Sequence, residues 1–352
     1  MNFDSVNNLI KWSAKNFGTL PWRKNRTIYH TLVSEIMLQQ TTVNTVINKF
    51  DPFILKFPDL YKLAKASEED LGIAWKGLGY YRRAANLKKA ALFIVENWGG
   101  DIPDEFDKLV LIPGIGKYTA NALCSIGHQQ PQIAVDVNLE RVLGRFYGLT
   151  AVDQQALKEK IYTLFNQNKI LNNLSKKNAR EINEAIMDVG RTLCRNQKAD
   201  CLNCPLNSEC KAYKTKNFSI LTSGKIIKDK KPDLELHLLR ISIIKNNKLL
   251  VYQKEQGEWL NGQWEMPTLI LKTDDAKLKQ YPAIMKAIKG EEKLKVFKTG
   301  ITKYKIFNYV MPLTEKEFES TFKKYFKNRK IEFLDCSDKQ NFSTATLKAI
   351  KL

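Results

Sequence analysis

The sequence predicts a multidomain protein, with a mainly α-helical part over residues 1–212 and a smaller α+β part over residues 233–352. Three observations support this fold class. The 352 residues exceed the roughly 150 residues that are typical of one domain. Apolar side chains follow a helical period in the first part and alternate as in strands in the second. Because 43% of the residues are hydrophobic, the chain can bury a core, which excludes wholesale disorder.

Two stretches of the first part carry apolar residues at intervals of three and four, the spacing of one helix face. They are Leu32, Ile36, Val43, Val46, Ile47 and Phe50, and then Val135, Leu139, Val142, Leu143 and Phe146. Strand-like alternation is scarce in this part. We therefore predict a helical domain there.

The second part follows a basic segment. Residues 213–232 contain few large apolar side chains and end on a proline, which predicts a linker. The elements predicted beyond it are strands at 236–244 and 248–253, the turn Asn246-Asn247 between them, alternation at 301–311, and a Lys- and Phe-rich helix at 315–328.

The charge balance indicates a polyanionic partner. Lys and Arg number 57 against 37 Asp and Glu, a net charge of +20. Nucleic acid is the leading partner for such a charge, although a lysine-rich proteome would give the same excess. No apolar run approaches the roughly 18 residues of a membrane span. The N-terminus lacks the pattern of a signal peptide. We expect a cytoplasmic protein of bacterial type that has no membrane partner and is associated with the nucleoid through DNA.

Four of the six cysteines are crowded into 17 residues, which predicts a metal site. Cys194, Cys201, Cys204 and Cys210 have the spacing C-x6-C-x2-C-x5-C. Zinc sites usually pair two short C-x2-C arms across a longer loop, and only one such arm is present here. The spacing favours a [4Fe–4S] cluster. Four unrelated buried cysteines are the alternative.

A glycine-rich segment at 109–127 predicts a helix-hairpin-helix. One helix is expected to stop at Pro113, the chain to turn through Gly114 and Gly116, and a second helix to start at Lys117. Glycines let the backbone approach a phosphate, and the following helix presents unpaired N–H groups. Such a hairpin can hold DNA backbone without reading sequence, whereas a simple tight turn is the alternative.

Two carboxylates are candidate catalytic groups. Asp136 lies about twenty residues after the hairpin, where its alternative role is to cap the helix that carries Leu139. Glu35 lies in the first apolar stretch, where its alternative role is that of a solvated helix glutamate.

Two polar segments are candidates for contacts with DNA. Residues 39–42 (QQTT) are uncharged, polar and expected on a helix, and such groups can hydrogen-bond to base edges. Residues 77–83 (GLGYYRR) offer a flexible loop, stacking aromatics and two cations for phosphates. An ordinary basic loop with buried tyrosines is the alternative for the second segment.

Together, these residues resemble the helix-hairpin-helix DNA glycosylases, the superfamily of endonuclease III, over residues 1–212. The match is closer to the MutY-type adenine DNA glycosylases. It rests on residues 20–23 (LPWR), 34–41 (SEIMLQQT), 77–81 (GLGYY) and 183–185 (NEA), and on the basic C-terminal extension. The resemblance implies a six-helix barrel beside an iron–sulfur helical module, with mispaired double-stranded DNA bound between them and a [4Fe–4S] cofactor. We expect the protein to be a monomer.

One position separates two branches of this superfamily. Bifunctional relatives of endonuclease III carry a lysine nucleophile after the hairpin, where this chain has Tyr118. Lys117 lies one residue earlier and should point about 100° away on a helix. The resemblance therefore implies a monofunctional glycosylase.

The resemblance also implies roles for single residues. Glu35 would protonate adenine N7 as a general acid, and Asp136 would stabilise the oxocarbenium-like sugar. The other implied roles are an adenine pocket of Trp22, Arg23, Tyr118 and Glu184, support of Asp136 by Asn138, contacts with the opposite strand by Gln40, Thr41 and Tyr80, and backbone contacts by Gly114 and Gly116.

Two departures from the family pattern stand out. Val137 replaces the glycine of D-G-N, and a β-branched residue disfavours any positive φ there. Residues 262–267 (GQWEMP) resemble the MutT-like domain of MutY, but the acidic run of a Nudix hydrolase is not apparent. We therefore expect a DNA-reading domain without hydrolase activity.

The segment that would recognise 8-oxoguanine also differs. Residues 302–305 (TKYK) occupy the place of the family's Phe-Ser-His loop. Tyr304 could stack on a base, and Lys303 and Lys305 could bind phosphate. The alternative is an edge strand that is protected by lysines.

We expect a base-excision repair enzyme that removes adenine mispaired with 8-oxoguanine or guanine. One alternative is a related glycosylase that removes another base, such as thymine opposite guanine. A second alternative is a DNA-binding iron–sulfur protein without catalysis.

Overall fold

The computed structural model of the chain divides into two compact units. It describes residues 1–167, 169–221, 234–284, 294–301, 303–336 and 340–352, and gives only the backbone for 169–175. The units are Met1–Ala66 with Leu78–Ile226, and Ser67–Gly77 with Ile227–Leu352. Within the predicted linker 213–232, residues 222–232 lie outside the described residues, whereas the backbone N–H of Ala151 donates to Ile220 O at 3.1 Å in the first unit.

The first unit is helical, as predicted. The helices, of which α6 belongs to the second unit, are α1 (Phe3–Phe17), α2 (Pro21–Lys24), α3 (Ile28–Leu38), α4 (Val43–Lys56), α5 (Leu60–Ala64), α6 (Glu68–Ala74), α7 (Arg82–Trp98), α8 (Phe106–Leu109), α9 (Lys117–Ala122), α10 (Val137–Tyr147), α11 (Gln154–Gln167), α12 (Lys169–Thr192) and α13 (Lys211–Thr215). In the part of the chain that the structure describes, no helix is long and apolar enough to cross a membrane.

The first apolar stretch forms two helices with a loop between them. α3 ends at Leu38, and Thr42 begins α4 by accepting a hydrogen bond from the backbone N–H of Thr45 at 3.4 Å. Gln40 has a φ of 54°, which an α-helix does not accommodate. The prediction that residues 39–42 lie on a helix is therefore wrong, and these polar side chains belong to a loop.

A buried core joins four helices of the first unit and fixes the start of α10. Its largest contributions come from α1, α10, α11 and α12, through Val6, Leu9, Leu139, Leu143, Leu157, Ile161, Ile182 and Ile186. Each such side chain is at most 1% exposed, and burying one contributes about 1.5–3 kcal/mol. This packing holds the first turn of α10, where Asp136 lies.

In its described residues, the second unit contains two sheets and, besides α6, two short α-helices, so the α+β prediction is confirmed. The strands are β1 (Leu234–Ser242), β2 (Ile244–Lys245), β3 (Lys248–Gln253), β4 (Trp264–Glu265), β5 (Thr268–Thr273), β6 (Lys295–Ile301), β7 (Tyr304–Pro312) and β8 (Ile331–Asp335), and the helices after β7 are α14 (Glu315–Thr321) and α15 (Thr344–Ile350). As predicted, Asn246 and Asn247 form the turn before β3, with φ values of 50° and 59°.

One sheet has the strand order β5-β1-β7-β6, and the other places β3 between β2 and β4 and also pairs it with β8. β1 runs parallel to β7 and antiparallel to β5. Because β7 lies between β1 and β6, the segment after Lys303 is an interior strand. The edge-strand interpretation of this segment is therefore wrong. Thr302 lies outside the described residues.

Candidate active site

Glu35 is a buried carboxyl group on α3. Its side chain is 7% exposed, and its Oε2 accepts a hydrogen bond from the Tyr118 hydroxyl at 2.8 Å. Burial raises the pKa of Glu35 from an ordinary 4.5 to about 7. The hydrogen bond from Tyr118 and the charge of Arg23 act in the opposite direction, whereas the carboxylates of Asp136 and Glu184 raise this pKa further. The solvated-glutamate alternative is therefore wrong.

Tyr118 reaches Glu35 because the hairpin places it on the first turn of α9. Gly114 has a φ of 85°, and a Cβ there would lie 2.7 Å from Asn86 Cβ, so the turn requires glycine. α9 begins at Lys117, as predicted, and Lys117 is exposed whereas Tyr118 is half-buried. The preceding helix α8 ends at Leu109 and not at Pro113, because the intervening residues form turns.

Asp136 is the N-cap of α10, so its predicted structural role is confirmed. Its Oδ1 accepts the backbone N–H groups of Asn138 at 2.9 Å and Leu139 at 2.8 Å. Its Oδ2 accepts the Asn138 side-chain amide at 2.8 Å. These three hydrogen bonds orient a half-buried carboxylate whose charge acts on Glu35.

Asn138 is held in turn by Arg141. The guanidinium of Arg141 donates to Asn138 Oδ1 at 2.7 Å, to Gly190 O at 2.7 Å and to Cys194 O at 2.5 Å. A Cβ on Gly190 would lie 2.5 Å from Asn138 Cβ, so α12 packs directly against this side chain. Arg141 therefore connects Asn138, which holds Asp136, to the backbone of Cys194, the first cysteine of the predicted metal site.

Val137 does not disturb this arrangement. It is the first residue of α10, a helical position that requires no positive φ. The positive φ that a β-branched residue disfavours is therefore not needed at this position. The side chain is 56% exposed beside Asp136.

Glu184, on α12, lies between two arginines. It accepts two hydrogen bonds from Arg26, at 2.8 and 3.0 Å, and lies 3.4 Å from Arg23 Nε. Arg23 is 9% exposed and also pairs with Asp188 at 2.8 Å. Arg23 is therefore a buried support of Glu184, and Arg26 is the more exposed cation. Trp22 is half-buried, and its ring packs against Phe50.

The residues predicted to hold the opposite strand lie on two adjacent loops. Gln40 is exposed, and Tyr80 is 62% exposed with a φ of 45°. The Thr41 hydroxyl donates to Leu78 O at 3.3 Å and so joins the two loops. Tyr80, near the end of the second loop, is therefore presented to solvent.

The four clustered cysteines line one cavity. Its walls include Val142, Phe146, Val189, Leu193, Leu206 and Phe218, together with Arg145. The Arg145 guanidinium donates to Cys194 Sγ at 3.4 Å. Among the residues that the structure describes, no group of three or more His, Cys, Asp or Glu side chains is arranged to hold a metal ion.

Comparison with known proteins places this chain in a family. Residues 33–167 match the HhH-GPD superfamily of base excision DNA repair proteins. An adenine DNA glycosylase of Buchnera aphidicola subsp. Acyrthosiphon pisum is 34% identical over 255 residues, which cover 71% of this chain and 70% of that protein.

The chain belongs to the adenine DNA glycosylase family. A second adenine DNA glycosylase, of Buchnera aphidicola subsp. Schizaphis graminum, is 37% identical over 60% of this chain and 61% of its own length. A solved structure of a thermostable thymine-DNA glycosylase is 25% identical, with a TM-score of 0.49 over 60% of this chain and 95% of that one. The predicted family, the helix-hairpin-helix class and the DNA glycosylase class of enzyme are confirmed.

In this chain, the side chains predicted to read the opposite base contact other residues of the second unit. Tyr304 is 9% exposed, its hydroxyl donates to Asp275, and its ring lies 4.9 Å from that of Trp259. Lys303 pairs with the same Asp275 at 3.0 Å, and Lys305 lies 3.6 Å from Glu235. The structure therefore presents no free ring face at Tyr304, and contact of Tyr304 with a base stays a prediction.

Sequence reasoning missed several residues of the site. They are Arg26, Arg141 and Asp188. The partner of Arg26 lies 158 residues away, so no local pattern could reveal the pair. Arg83 was expected to bind phosphate, but the structure buries it among backbone carbonyls, so this prediction is wrong.

Proposed function

We propose that this chain hydrolyses the N-glycosidic bond of adenine mispaired with 8-oxoguanine or guanine in double-stranded DNA, leaving an abasic site. The observation that carries the proposal is the buried Glu35, whose pKa is raised to about 7 beside Tyr118 and Asp136. Membership of the adenine DNA glycosylases supports adenine as the base. The net charge of +20 supports DNA as the partner of a monomeric, cytoplasmic enzyme.

Glu35 acts as the general acid. Adenine leaves poorly as an anion, whereas protonation at N7 lets it leave as a neutral base. A carboxyl group with a pKa of about 7 is protonated in a large fraction of molecules near neutral pH and can donate that proton. As the C1′–N9 bond breaks, its electron pair goes to the base and positive charge develops on the sugar.

Asp136 stabilises that charge. Its carboxylate is held by three hydrogen bonds, so it need not reorganise when the oxocarbenium ion forms. It acts through electrostatic attraction or by forming a transient covalent bond to C1′, as carboxylates do in retaining glycosidases. Water then adds to C1′ and completes hydrolysis. Asn138 acts by orienting Asp136.

Tyr118 favours hydrolysis without strand cleavage. Schiff-base chemistry needs an amine within reach of C1′, and this position carries a phenol that is engaged with Glu35. Lys117, the adjacent amine, is exposed on another side of α9. The enzyme is therefore monofunctional.

Glu184 and Trp22 line the adenine pocket, together with Tyr118. Arg23 does not line this pocket itself but positions Glu184 through an ion pair. Gln40, Thr41 and Tyr80 hold the opposite strand, and Gly114 and Gly116 let the hairpin approach DNA backbone. The helices of the first unit form the six-helix barrel and its iron–sulfur module.

We further propose that the second unit is a MutT-like domain that reads DNA. Residues 262–267 (GQWEMP), which carry the resemblance to a MutT-like domain, form β4 and its flanks. Glu265 is enclosed by Arg240 and Lys254, each at 2.7 Å. Burial would raise the pKa of Glu265, but these two cations hold it at about 2. A carboxylate paired in this way is not free to bind magnesium, which supports a reading role without hydrolysis.

The choice of opposite base is tested with three duplexes that differ only opposite the adenine. We expect adenine release opposite 8-oxoguanine and guanine, and none above background opposite thymine, because a mispaired base costs less to extrude. Single-turnover assays with alkali cleavage of the abasic product give the three rate constants. Equal release from all three duplexes would exclude mispair recognition.

We infer that the cysteine cavity holds a [4Fe–4S] cluster, with Cys194, Cys201, Cys204 and Cys210 as its ligands. The four thiols line the same cavity, and Arg145 places a cation beside them, which suits an anionic cluster. When bound, the cluster supplies a covalent crosslink that stabilises the fold of residues 194–210.

The cluster has a direct analytical test. Purified protein should be yellow-brown and contain about four irons and four sulfides per chain. Cys201→Ala should give a less stable protein, because loss of a ligand is also loss of folding energy. One zinc per chain without inorganic sulfide would refute the assignment.

A further inference from the structure

Arg83, on the first turn of α7, joins two loops of the first unit through its guanidinium. It is 8% exposed, and the four N–H groups of its two terminal nitrogens are shared among six oxygens within hydrogen-bond distance. These are Ile36 O (2.9 Å), Met37 O (2.8 Å), Gln39 O, Thr41 Oγ1 (2.8 Å), Leu78 O (3.0 Å) and Gly79 O (3.3 Å). Four of these acceptors belong to the end of α3 and the loop after it, and two belong to the loop before α7.

Both loops hold a residue in a conformation that side chains disfavour. Gln40 has a φ of 54° and Tyr80 a φ of 45°. A non-glycine residue in this region is strained and persists only when its surroundings fix it. Both side chains project into solvent, and the Arg83 guanidinium lies 5.5 Å from the Tyr80 ring centroid. The two loops that carry these side chains are thus hydrogen-bonded to one buried cation.

Arginine suits this position for a geometric reason. The carbonyls of Ile36 and Met37 lie in the last turn of α3, where the helix leaves its C=O groups without intrahelical partners. A positive charge there is also favoured by the helix dipole. The planar guanidinium can meet acceptors on both loops at once, whereas a lysine ammonium has three donors and no fork.

We propose that Arg83 is a positioning residue for recognition of the nucleotide opposite the adenine. It does not contact DNA. It holds the loops of Gln40 and Tyr80 in one relative arrangement before DNA binds, so that ordering them costs no affinity. This inference rests on the proposed function, in which these two side chains hold the opposite strand.

The experiment compares Arg83→Lys with Arg82→Lys, a matched control at the neighbouring, exposed arginine. Each is tested on adenine opposite guanine and on adenine opposite a tetrahydrofuran abasic analogue, which offers no base to the loops. For Arg83→Lys we expect duplex binding and single-turnover release to fall roughly tenfold or more opposite guanine, as for lost charge-assisted hydrogen bonds. On the duplex with the abasic analogue, binding and release should change by no more than about threefold, because no base is present there for the two loops to contact. Comparing each variant on the two duplexes isolates the coupling between Arg83 and the opposite base. Arg82→Lys keeps the positive charge with which Arg82 was expected to bind phosphate, so any effect it has should be equal on the two duplexes.

A purely structural role predicts a different pattern. Because Ile36 is adjacent to Glu35, general damage to α3 would reduce release from both duplexes alike, and that result would overturn the proposal. So would unchanged activity of Arg83→Lys opposite guanine.

A second variant covers the case in which Arg83→Lys fails to fold. Thr41→Val removes one acceptor of Arg83 with little change in volume, and it should show a smaller loss that is again confined to the guanine duplex. An equal effect of Thr41→Val on both duplexes would contradict the proposal. If wild-type enzyme releases adenine from neither duplex, the proposed function fails instead, which is a distinguishable result.

Discussion

Glu35→Gln is expected to bind mispaired DNA normally while its single-turnover release of adenine falls by roughly 10²–10⁴-fold or more, the loss typical of a general acid. Glutamine keeps the shape of the side chain and can still accept the hydrogen bond from the Tyr118 hydroxyl. It cannot donate an acidic proton to N7. Rapid-quench measurement of base release, with binding followed separately by fluorescence anisotropy, separates these two effects. Normal release by this variant would remove Glu35 from the mechanism.

The same variant should be more stable than wild type at high pH. The pKa of Glu35 is raised in the folded state, from 4.5 to about 7. The folded state therefore binds this proton more tightly than the unfolded state does. The resulting contribution to the free energy of unfolding is fully present below pH 4.5 and is lost as the pH rises through 7. Above pH 7, the buried charge costs about 3 kcal/mol at most, and glutamine does not carry it. Thermal melting should separate the two proteins at pH 8.5 and not at pH 4.5.

Asp136→Asn should reduce adenine release by a comparable factor, because it removes the negative charge that faces the oxocarbenium ion. Asparagine is as good an N-cap as aspartate, so α10 should keep its start. Loss of activity without loss of stability would separate the catalytic role from the capping role, and Asp136→Ala should lose both.

Asp153 offers a matched control for Asp136. Its Oδ1 accepts the backbone N–H of Ala156 at 2.8 Å at the start of α11, and the residue is exposed. Asp153→Asn should leave base release unchanged. If Asp136→Asn released adenine at the wild-type rate, the charge at this position would not be part of the reaction.

The residues that could be predicted are those whose function follows from local chain geometry. The glycine at position 114 was predictable because the tight turn requires positive φ, and Asp136 because a helix start prefers aspartate. In both cases, the local requirement lies within a few residues of the functional group. The burial of Glu35 was not predictable in this way, since it depends on α9 packing over it.

The arginines show where sequence reasoning fails. Arg82 and Arg83 are adjacent and chemically identical, yet the first is exposed and the second is buried among acceptors on two loops. The partners of Arg83 extend 47 residues back along the chain. Neither composition nor periodicity carries that information, because it arises only when α3 and α7 pack together.

Tyr304 shows a similar limit in the second unit. Alternation predicted its strand, and β7 confirms this prediction. Alternation could not show that β7 lies between β1 and β6, nor that Trp259 would cover the tyrosine ring. The order of strands in a sheet depends on contacts distant in sequence, so exposure of a single ring could not be read from its neighbours.

The most direct test of the account identifies the free base released by wild-type enzyme from two duplexes, one with adenine opposite guanine and one with thymine opposite guanine. Mass spectrometry of the small-molecule fraction distinguishes the two bases and quantifies them against abasic sites in the DNA. We expect one adenine per abasic site from the first duplex and no thymine from the second. Release of thymine from the second duplex, or of no base from either, would contradict it.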